Sequence, residues 1–277
     1  MVKFLEMAER RGGMVEGVRD LCVSARKIGD SSALRRLLKS TPHVLNLLCH
    51  GGTIMVGDLA RLQMFRRLEL VYIDVIGSPS SSLLCLPNLQ RLSMTDVTLE
   101  DSPSHFLTPA FLPRLRHIDT DDLGSFAPLI AQLEIIGCDS DYSGYADYTL
   151  LSRAKSLLLL PLSRYPGDRF AMFSNLPSLP LFLHIDFTWY THIGVDHEVP
   201  IALEELLEAK NSGLRVILLN DHGINDSSRS LIQRLEERGI RVQLLDEYRN
   251  FDGAIVEMEK IRAEEKRAVE EAVMRGK

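Results

Sequence analysis

Apolar residues recur along the chain with the spacing L-x-x-L-x-L, and no other feature constrains the fold as much. The clearest copy consists of Leu89, Leu92 and Met94 in the segment LPNLQRLSMTDVTL, residues 86–99. Further copies start at positions 18, 44, 65, 115, 130 and 154, and the alternation returns in LFLHIDF around Leu183 and Ile185. Most starts lie about 20 to 29 residues apart, which is the spacing of a stacked structural repeat.

Each copy ends in the alternation of a short β-strand. In such a strand Leu92 and Met94 point to one side, while Arg91, Ser93 and Thr95 point to the other. One strand covers only half of a core, so neighbouring units have to stack to bury the rest. We therefore predict an α/β fold, an irregular leucine-rich-repeat solenoid with parallel strands on one face and helices on the other.

Helical patterns lie between several of these strands. The segment SSALRRLLKSTPH predicts a helix with Asp30, Ser31 or Ser32 as a candidate N-cap and with Pro42 just beyond its end. Two later helical segments, IALEELLEAKNS and SSRSLIQRLEER, each precede a C-cap glycine and one of the duplicated strands GLRVILLND and GIRVQLLDE. We predict that the repeats span residues 1–250. Residues 251–277 then form a charged helix that caps the last repeat, with a coiled-coil helix as the alternative.

Composition and charge exclude several classes of protein. Hydrophobic residues make up 45% of the 277 residues and charged residues 25%, as in globular proteins. The formal net charge is −6, and the arginines are spread among acidic residues, so a basic nucleic-acid footprint is missing. No apolar run is long enough for a membrane span or a signal peptide. We expect the protein in the cytoplasm or the nucleus.

The cysteines also indicate a reducing compartment. Their spacing fits neither the close ligands of a zinc site nor a dense disulfide framework. We therefore predict reduced, mostly buried thiols at Cys22, Cys49, Cys85 and Cys138.

The repeat segments resemble the leucine-rich-repeat part of F-box proteins, especially those of the divergent fungal type. The resemblance rests on LPNLQRLSMTDVTL, LPRLRHIDT, TPHVLNLLCH and VRDLCVSA, and it covers roughly residues 17–246. The asparagine usual at the ninth repeat position is absent. Val97 and Ile73 occupy that position, and Cys138 is the one familiar substitute.

This resemblance implies a substrate receptor of a cullin-type ubiquitin ligase. In that family an N-terminal F-box binds an adaptor protein, and the repeats bind the substrate. Only FLEMAERR precedes the first repeat, which is too short for such a helix bundle. The resemblance therefore implies a truncated or degenerate member whose repeat surface lacks its connection to the ligase adaptor.

The outward positions of neighbouring strands predict one continuous surface of mixed charge, which suits protein recognition. The alternative for each position is a solvated side chain without a partner. The predicted partner-binding residues are Arg67, Glu69, Arg91, Ser93, His117, Asp119, Glu134, His184, Asp186 and Trp189, with Gln132 and Tyr190 beside them. We predict a non-enzymatic scaffold without a cofactor, whose strand face binds a protein partner or a ubiquitination substrate.

A metal-dependent hydrolase is the alternative function. His184, Asp186, Asp221 and His222 supply imidazole and carboxylate groups, and open α/β sheets place metal sites at the carboxyl ends of parallel strands. Solvent-facing strand positions explain His184 and Asp186 equally directly, because they alternate with Leu183 and Ile185. The sequence contains no HExxH motif, nucleophile elbow, dinucleotide fingerprint or phosphate loop.

Overall fold

The computed structural model shows an α/β protein with parallel strands. It describes residues 18–24, 31–41, 43–59, 63–77, 85–100, 106–138, 148–154, 157–163, 180–186, 203–204, 213–220, 224, 226–245 and 251–275. The chain divides into two compact units, Met1–Lys155 and Ser156–Lys277. None of the described helices combines the length and the apolarity that a membrane span requires.

Parallel strands form the sheet of the first unit. Each neighbouring pair in it is parallel. Six strands lie side by side in the order β1 (Asp20–Ser24), β2 (Asn46–Met55), β3 (Arg67–Ile76), β4 (Arg91–Thr95), β6 (His117–Thr120) and β7 (Ile135–Cys138). The two-residue strand β5 (Thr98–Leu99) pairs with the far end of β3.

The described connections in this unit combine two α-helices with 3-10 turns. Helix α1 (Ser31–Ser40) follows β1 and contacts β2, as does the short helix α2 (Val56–Leu59). Helix α1 lies within the predicted segment and ends before Pro42, as predicted, although the side chains of its candidate caps lie outside the described residues. The 3-10 turns are Gly124–Phe126, Ile130–Gln132 and Tyr148–Arg153.

Two rows of inward side chains, each running across the strands, form the core of the first unit. Strand register aligns the members of each row, and nearly all of those described are buried. The first row is Leu21, Leu47, Leu68, Leu92, Ile118 and Ile136, and the second is Val23, Cys49, Leu70, Met94 and Thr120. The alternation predicted for β4 is therefore confirmed, since Leu92 and Met94 face the core.

The same backbone hydrogen bonds recur where successive strands begin. Two N–H groups donate to one carbonyl oxygen of the preceding segment, at 2.8 to 3.1 Å. In the first unit the accepting carbonyls belong to Arg19, Leu45, Arg66, Gln90 and Arg116. Each of these residues comes directly after a predicted start, so the five starts at 18, 44, 65, 89 and 115 are structurally equivalent.

The predicted starts at 130 and 154 are wrong by three residues. The N–H groups of Glu134 and Ile135 both donate to the Arg116 carbonyl oxygen, which makes Leu133 the equivalent start. Likewise, Phe182 N–H donates to the Leu158 carbonyl oxygen, which places that start at 157. Cys138 then occupies the sixth position rather than the ninth, because it is in register with Thr120.

The second unit contains four described strands in the order β8 (Leu159–Ser163), β9 (Phe182–Asp186), β10 (Val216–Asn220) and β11 (Arg241–Leu245), all parallel. Helix α3 (Asp226–Glu237) joins β10 to β11 and contacts β11. The chain leaves α3 through Gly239, whose φ is 82°. The Gly239 N–H donates to the carbonyl oxygen of Glu236, and the Ile240 N–H donates to the carbonyl oxygen of Leu235. These bonds confirm the predicted glycine cap.

The C-terminal helix α4 (Phe251–Arg275) belongs to the second unit and contacts β9. Its first turns bury Ala254, Ile255, Met258 and Ile261, whereas residues 262–275 are exposed on all sides. The packed half lies where the capping helix was predicted. A cap over a last repeat stays a prediction.

Candidate binding surface

The outward face of the first unit is the side of its sheet opposite the inward leucines. Register arranges its side chains in three rows, with strands about 4.8 Å apart. The first row is Asp20, Asn46, Arg67, Arg91, His117 and Ile135. The second row is Cys22, Leu48, Glu69, Ser93, Asp119 and Gly137. The third row is Ser24, His50, Val71 and Thr95.

Six predicted partner-binding residues share this face. Arg67 and Glu69 form an ion pair along β3, with Nη2 and Oε2 3.1 Å apart. Beside them, Asn46 Nδ2 donates a hydrogen bond of 2.6 Å to Asp20 Oδ1 across β2 and β1. The face therefore presents donors and acceptors in fixed positions, because each polar group stands on a paired strand.

Two of the six residues are more buried than a solvated face predicts. Ser93 is 6% exposed and His117 7% exposed, although both have the outward parity. Ser93 is a short side chain whose register neighbours are Glu69 and Asp119, and longer neighbours shield a short one. Arg67, Glu69, Arg91 and Asp119 remain partly exposed. A partner would reach these four first.

A shallow groove of about 330 Å³ lies at the start of strands β1 to β3. Leu21 and Leu47 contribute to its lining from the inward row, and the remaining lining comes from the outward face. Those outward residues are Asp20, Cys22, Asn46, Leu48, Arg67 and Glu69. Its volume lies at the lower end of the range of small-molecule pockets, about 300 to 1,000 Å³, so it admits a small ligand or one side chain of a partner.

Glu134 and Gln132 do not lie on the outward face, contrary to prediction. The three-residue shift places Ile135 and Gly137 at the outward positions of β7. Glu134 instead lies before the strand, where its carboxylate is 3.6 Å from Arg116 Nε. Gln132 donates through Nε2 to the carbonyl oxygens of Leu112 and Leu115. Both residues thus stabilise turns at the edge of the sheet where the strands begin.

His184 has the predicted parity but not the predicted exposure. It is 1% exposed, and its Nε2 lies 3.4 Å from Oδ1 of Asn220, which is also buried. All five residues of β10 are buried, so both faces of this strand are covered, as is usual in parallel sheets. The expectation of a solvent-facing His184 is therefore wrong. An alternating sequence pattern shows which residues share a face of the strand, but it does not show whether other segments cover that face.

The metal-site prediction depends largely on side chains that the structure does not describe. Asp186 ends β9, but its side chain lies outside the described residues, as do Asp221 and His222. Within the described part of the chain, no three His, Cys, Asp or Glu side chains are grouped as metal ligands would be. The hydrolase stays a prediction, and Trp189 likewise lies outside the described residues.

A backbone bend that three neighbouring strands share was missed in the sequence. Gly51, Tyr72 and Asp96 each come seven residues after a start, and their φ values of 74°, 54° and 50° lie in the left-handed region. The Tyr72 ring meets the His50 imidazole edge-on, with centroids 5.4 Å apart. The paired glycines at 51 and 52 were the available signal for this bend.

The prediction of mostly buried thiols is wrong, since only one of the three cysteines whose side chains the structure describes is buried. Cys49 is buried in the second core row, and burial, with a smaller effect from Cys22, raises its pKa to about 12. Cys22 is exposed on the outward face, and Cys85 is half-buried. All three are free thiols, as predicted, and the Cys138 side chain lies outside the described residues.

Comparison with known proteins assigns no relative. No protein-family model matches the chain, and no curated protein matches it significantly.

Proposed function

We propose that this protein is a non-enzymatic scaffold that binds a protein partner through the outward face of its first unit. The observation that carries the proposal is the register of Arg67, Arg91 and His117 in one row beside Glu69 and Asp119 in the next. The paired strands fix the backbone beneath these side chains, so binding does not have to order a loop, which favours specific recognition. Alternating charge gives such a surface discrimination between partners.

The proposed architecture is an irregular leucine-rich-repeat solenoid. The recurring pair of N–H groups on one carbonyl supports it, since stacked units make equivalent bonds at successive strands. The buried leucine row from Leu47 to Ile118 supports it as well. In a solenoid the outward rows form an extended surface, which suits a protein better than a small molecule.

Charge reversal on the first row tests the scaffold proposal. Wild type, R67E/R91E and a control carrying R267E on the exposed part of α4 would be immobilised, and captured proteins quantified by mass spectrometry. We expect proteins captured by the wild type to fall about tenfold on R67E/R91E and to stay on R267E. A cooperative thermal transition shows that the variant is folded, even where loss of the Arg67–Glu69 ion pair lowers its midpoint. Equal capture by all three proteins contradicts the proposal.

The narrower role is substrate recognition for an F-box-type ubiquitin ligase, in the cytoplasm or the nucleus. The support is the repeat resemblance, and the role needs a link to the ligase adaptor. A direct pull-down with purified adaptor protein decides this link: binding supports the ligase role. If the adaptor does not bind while the outward face still captures proteins, the scaffold proposal stands and the ligase role is wrong.

A further inference from the structure

Tyr72 occupies a backbone conformation that strongly disfavours a bulky residue. Its φ of 54° lies in the left-handed region, where the equivalent positions of the neighbouring strands hold Gly51 and Asp96. Glycine adopts this conformation without a Cβ clash and aspartate tolerates it, whereas tyrosine is destabilised there. A strained residue that persists where a glycine would fit points to a function of its side chain.

The side chain held there is an accessible aromatic ring. Tyr72 is 50% exposed, and its contact with His50 places the ring beside the third row of the outward face. Tyrosines presented in this way are enriched among the residues that dominate protein interfaces.

Exposed acidic residues lie at the same carboxyl edge of the sheet as the ring. Asp96 follows Thr95, which is paired with Val71, and Asp74 lies two residues after Tyr72; both aspartates are exposed. Glu100 and Asp122 are further exposed acidic residues at this carboxyl edge of the sheet. Within residues 49–59, 71–77, 94–100 and 119–126, which the structure describes at this edge, the sequence has no lysine or arginine. An aromatic face beside carboxylates is complementary to a cation.

We propose that the ring of Tyr72, in contact with His50 and flanked by Asp74 and Asp96, binds an arginine or lysine side chain of an extended segment in the protein partner. The cation would lie against the ring face while the carboxylates neutralise its charge. The inference rests on the proposed scaffold function and adds the chemistry of the partner, with the basic residue placed beside the third row.

Anisotropy of a labelled peptide tests the proposal directly. The probe is fluorescein-labelled Gly-Arg-Gly-Arg-Gly-Arg-Gly, and the control is the same peptide with uncharged citrulline in place of arginine. We expect the arginine peptide to bind the full chain at least about tenfold more tightly, with an affinity that falls as salt rises. Equal binding of the two peptides overturns the proposal.

Substitutions then locate the contact. Y72G relieves the strain and removes the ring, so we expect binding to fall about tenfold while the thermal midpoint drops by less than about 2 °C. D74N/D96N keeps side chains that tolerate the backbone conformation and should also weaken binding, whereas E264Q on α4 should not. Wild-type binding by folded Y72G overturns the proposal. If Y72G proves unstable, wild-type binding by D74N/D96N overturns it instead.

The two proposals fail separately. If R67E/R91E abolishes capture of proteins but the arginine peptide does not bind, the scaffold function stands and the basic partner is wrong. If capture is also insensitive to R67E/R91E, both are wrong.

Discussion

Burial of the Cys49 thiol makes the stability of the first unit depend on pH. Its pKa rises from 9.0 to about 12 because the core excludes water from the thiolate. Below pH 9 the thiol is protonated in the folded and the unfolded chain, and it contributes no pH dependence. Between pH 9 and 12 only the unfolded thiol ionises, so the free energy of unfolding falls by up to about 1.4 kcal/mol per pH unit.

Replacing Cys49 should remove this dependence. Urea unfolding of the wild type, C49A and C22S at pH 8.5 and pH 10.5 measures it. C49A should be less stable at pH 8.5, because it leaves a small cavity, but should lose less stability than the wild type on going to pH 10.5. C22S retains Cys49 and serves as the control; because Cys22 makes the smaller contribution to the raised pKa, C22S should keep most of the wild-type loss. An equal loss in C49A would show that other groups cause it.

Single residues also show where the sequence pattern was insufficient. Ile130, Leu133 and Ile136 are all apolar at three-residue spacing, so the template matches in two frames. A 3-10 turn over Ile130–Gln132 buries Ile130 before the strand, and only the backbone hydrogen bonds distinguish the frames. Burial of His184 was equally hidden, because it depends on which residues cover the second face of its strand.

Among the elements, the strands of the first unit were largely predictable and their bends were not. Alternation in 86–99 predicted the inward Leu92 and Met94 correctly. It did not predict that the strand breaks at Asp96 and resumes as β5, because one left-handed residue changes the parity of the residues after it. The first two outward rows were therefore predictable on β3, β4 and β6, whereas their continuation on β7 and the aromatic pair at the bend were not.

Helix α4 should respond to substitution in its two halves differently. Met258 is 1% exposed, so M258A should lower the free energy of unfolding by about 2 to 5 kcal/mol. Val269 is 62% exposed, and V269A should change it by less than about 0.5 kcal/mol. Denaturant unfolding measures both, with V269A as the matched control.

Amide exchange separates the halves of α4 without mutation. Residues 254–261 pack against the second unit, whereas residues 262–275 are supported by the ion pairs Lys266–Glu270 and Arg275–Glu271, at 3.9 and 3.3 Å. Such exposed pairs contribute only about 0.3 to 0.5 kcal/mol each. The second half should therefore exchange its amides much faster. Equal protection, or a large loss of stability in V269A, would show that something else packs against this helix.

At the scale of the molecule, each compact unit has buried residues of its own. A substitution in the core of the first unit tests whether the two units unfold independently. Leu92 is fully buried in the row between Leu68 and Ile118. L92A should lower the free energy of unfolding of the first unit by about 2 to 5 kcal/mol, because neighbouring strands can only partly fill the cavity. T95A removes an exposed side chain from the end of the same strand and should cost less than about 0.5 kcal/mol.

Native-state hydrogen exchange measures how far that loss extends. Parallel strands share one hydrogen-bonded ladder, so amides of β3, β4 and β6 in L92A should lose protection together and by similar amounts. Amides of β10 in the second unit provide the internal reference and should keep wild-type protection. Loss of protection in β4 alone would mean that the stacked strands open one at a time. Loss in β10 as well would mean that the two units unfold as one.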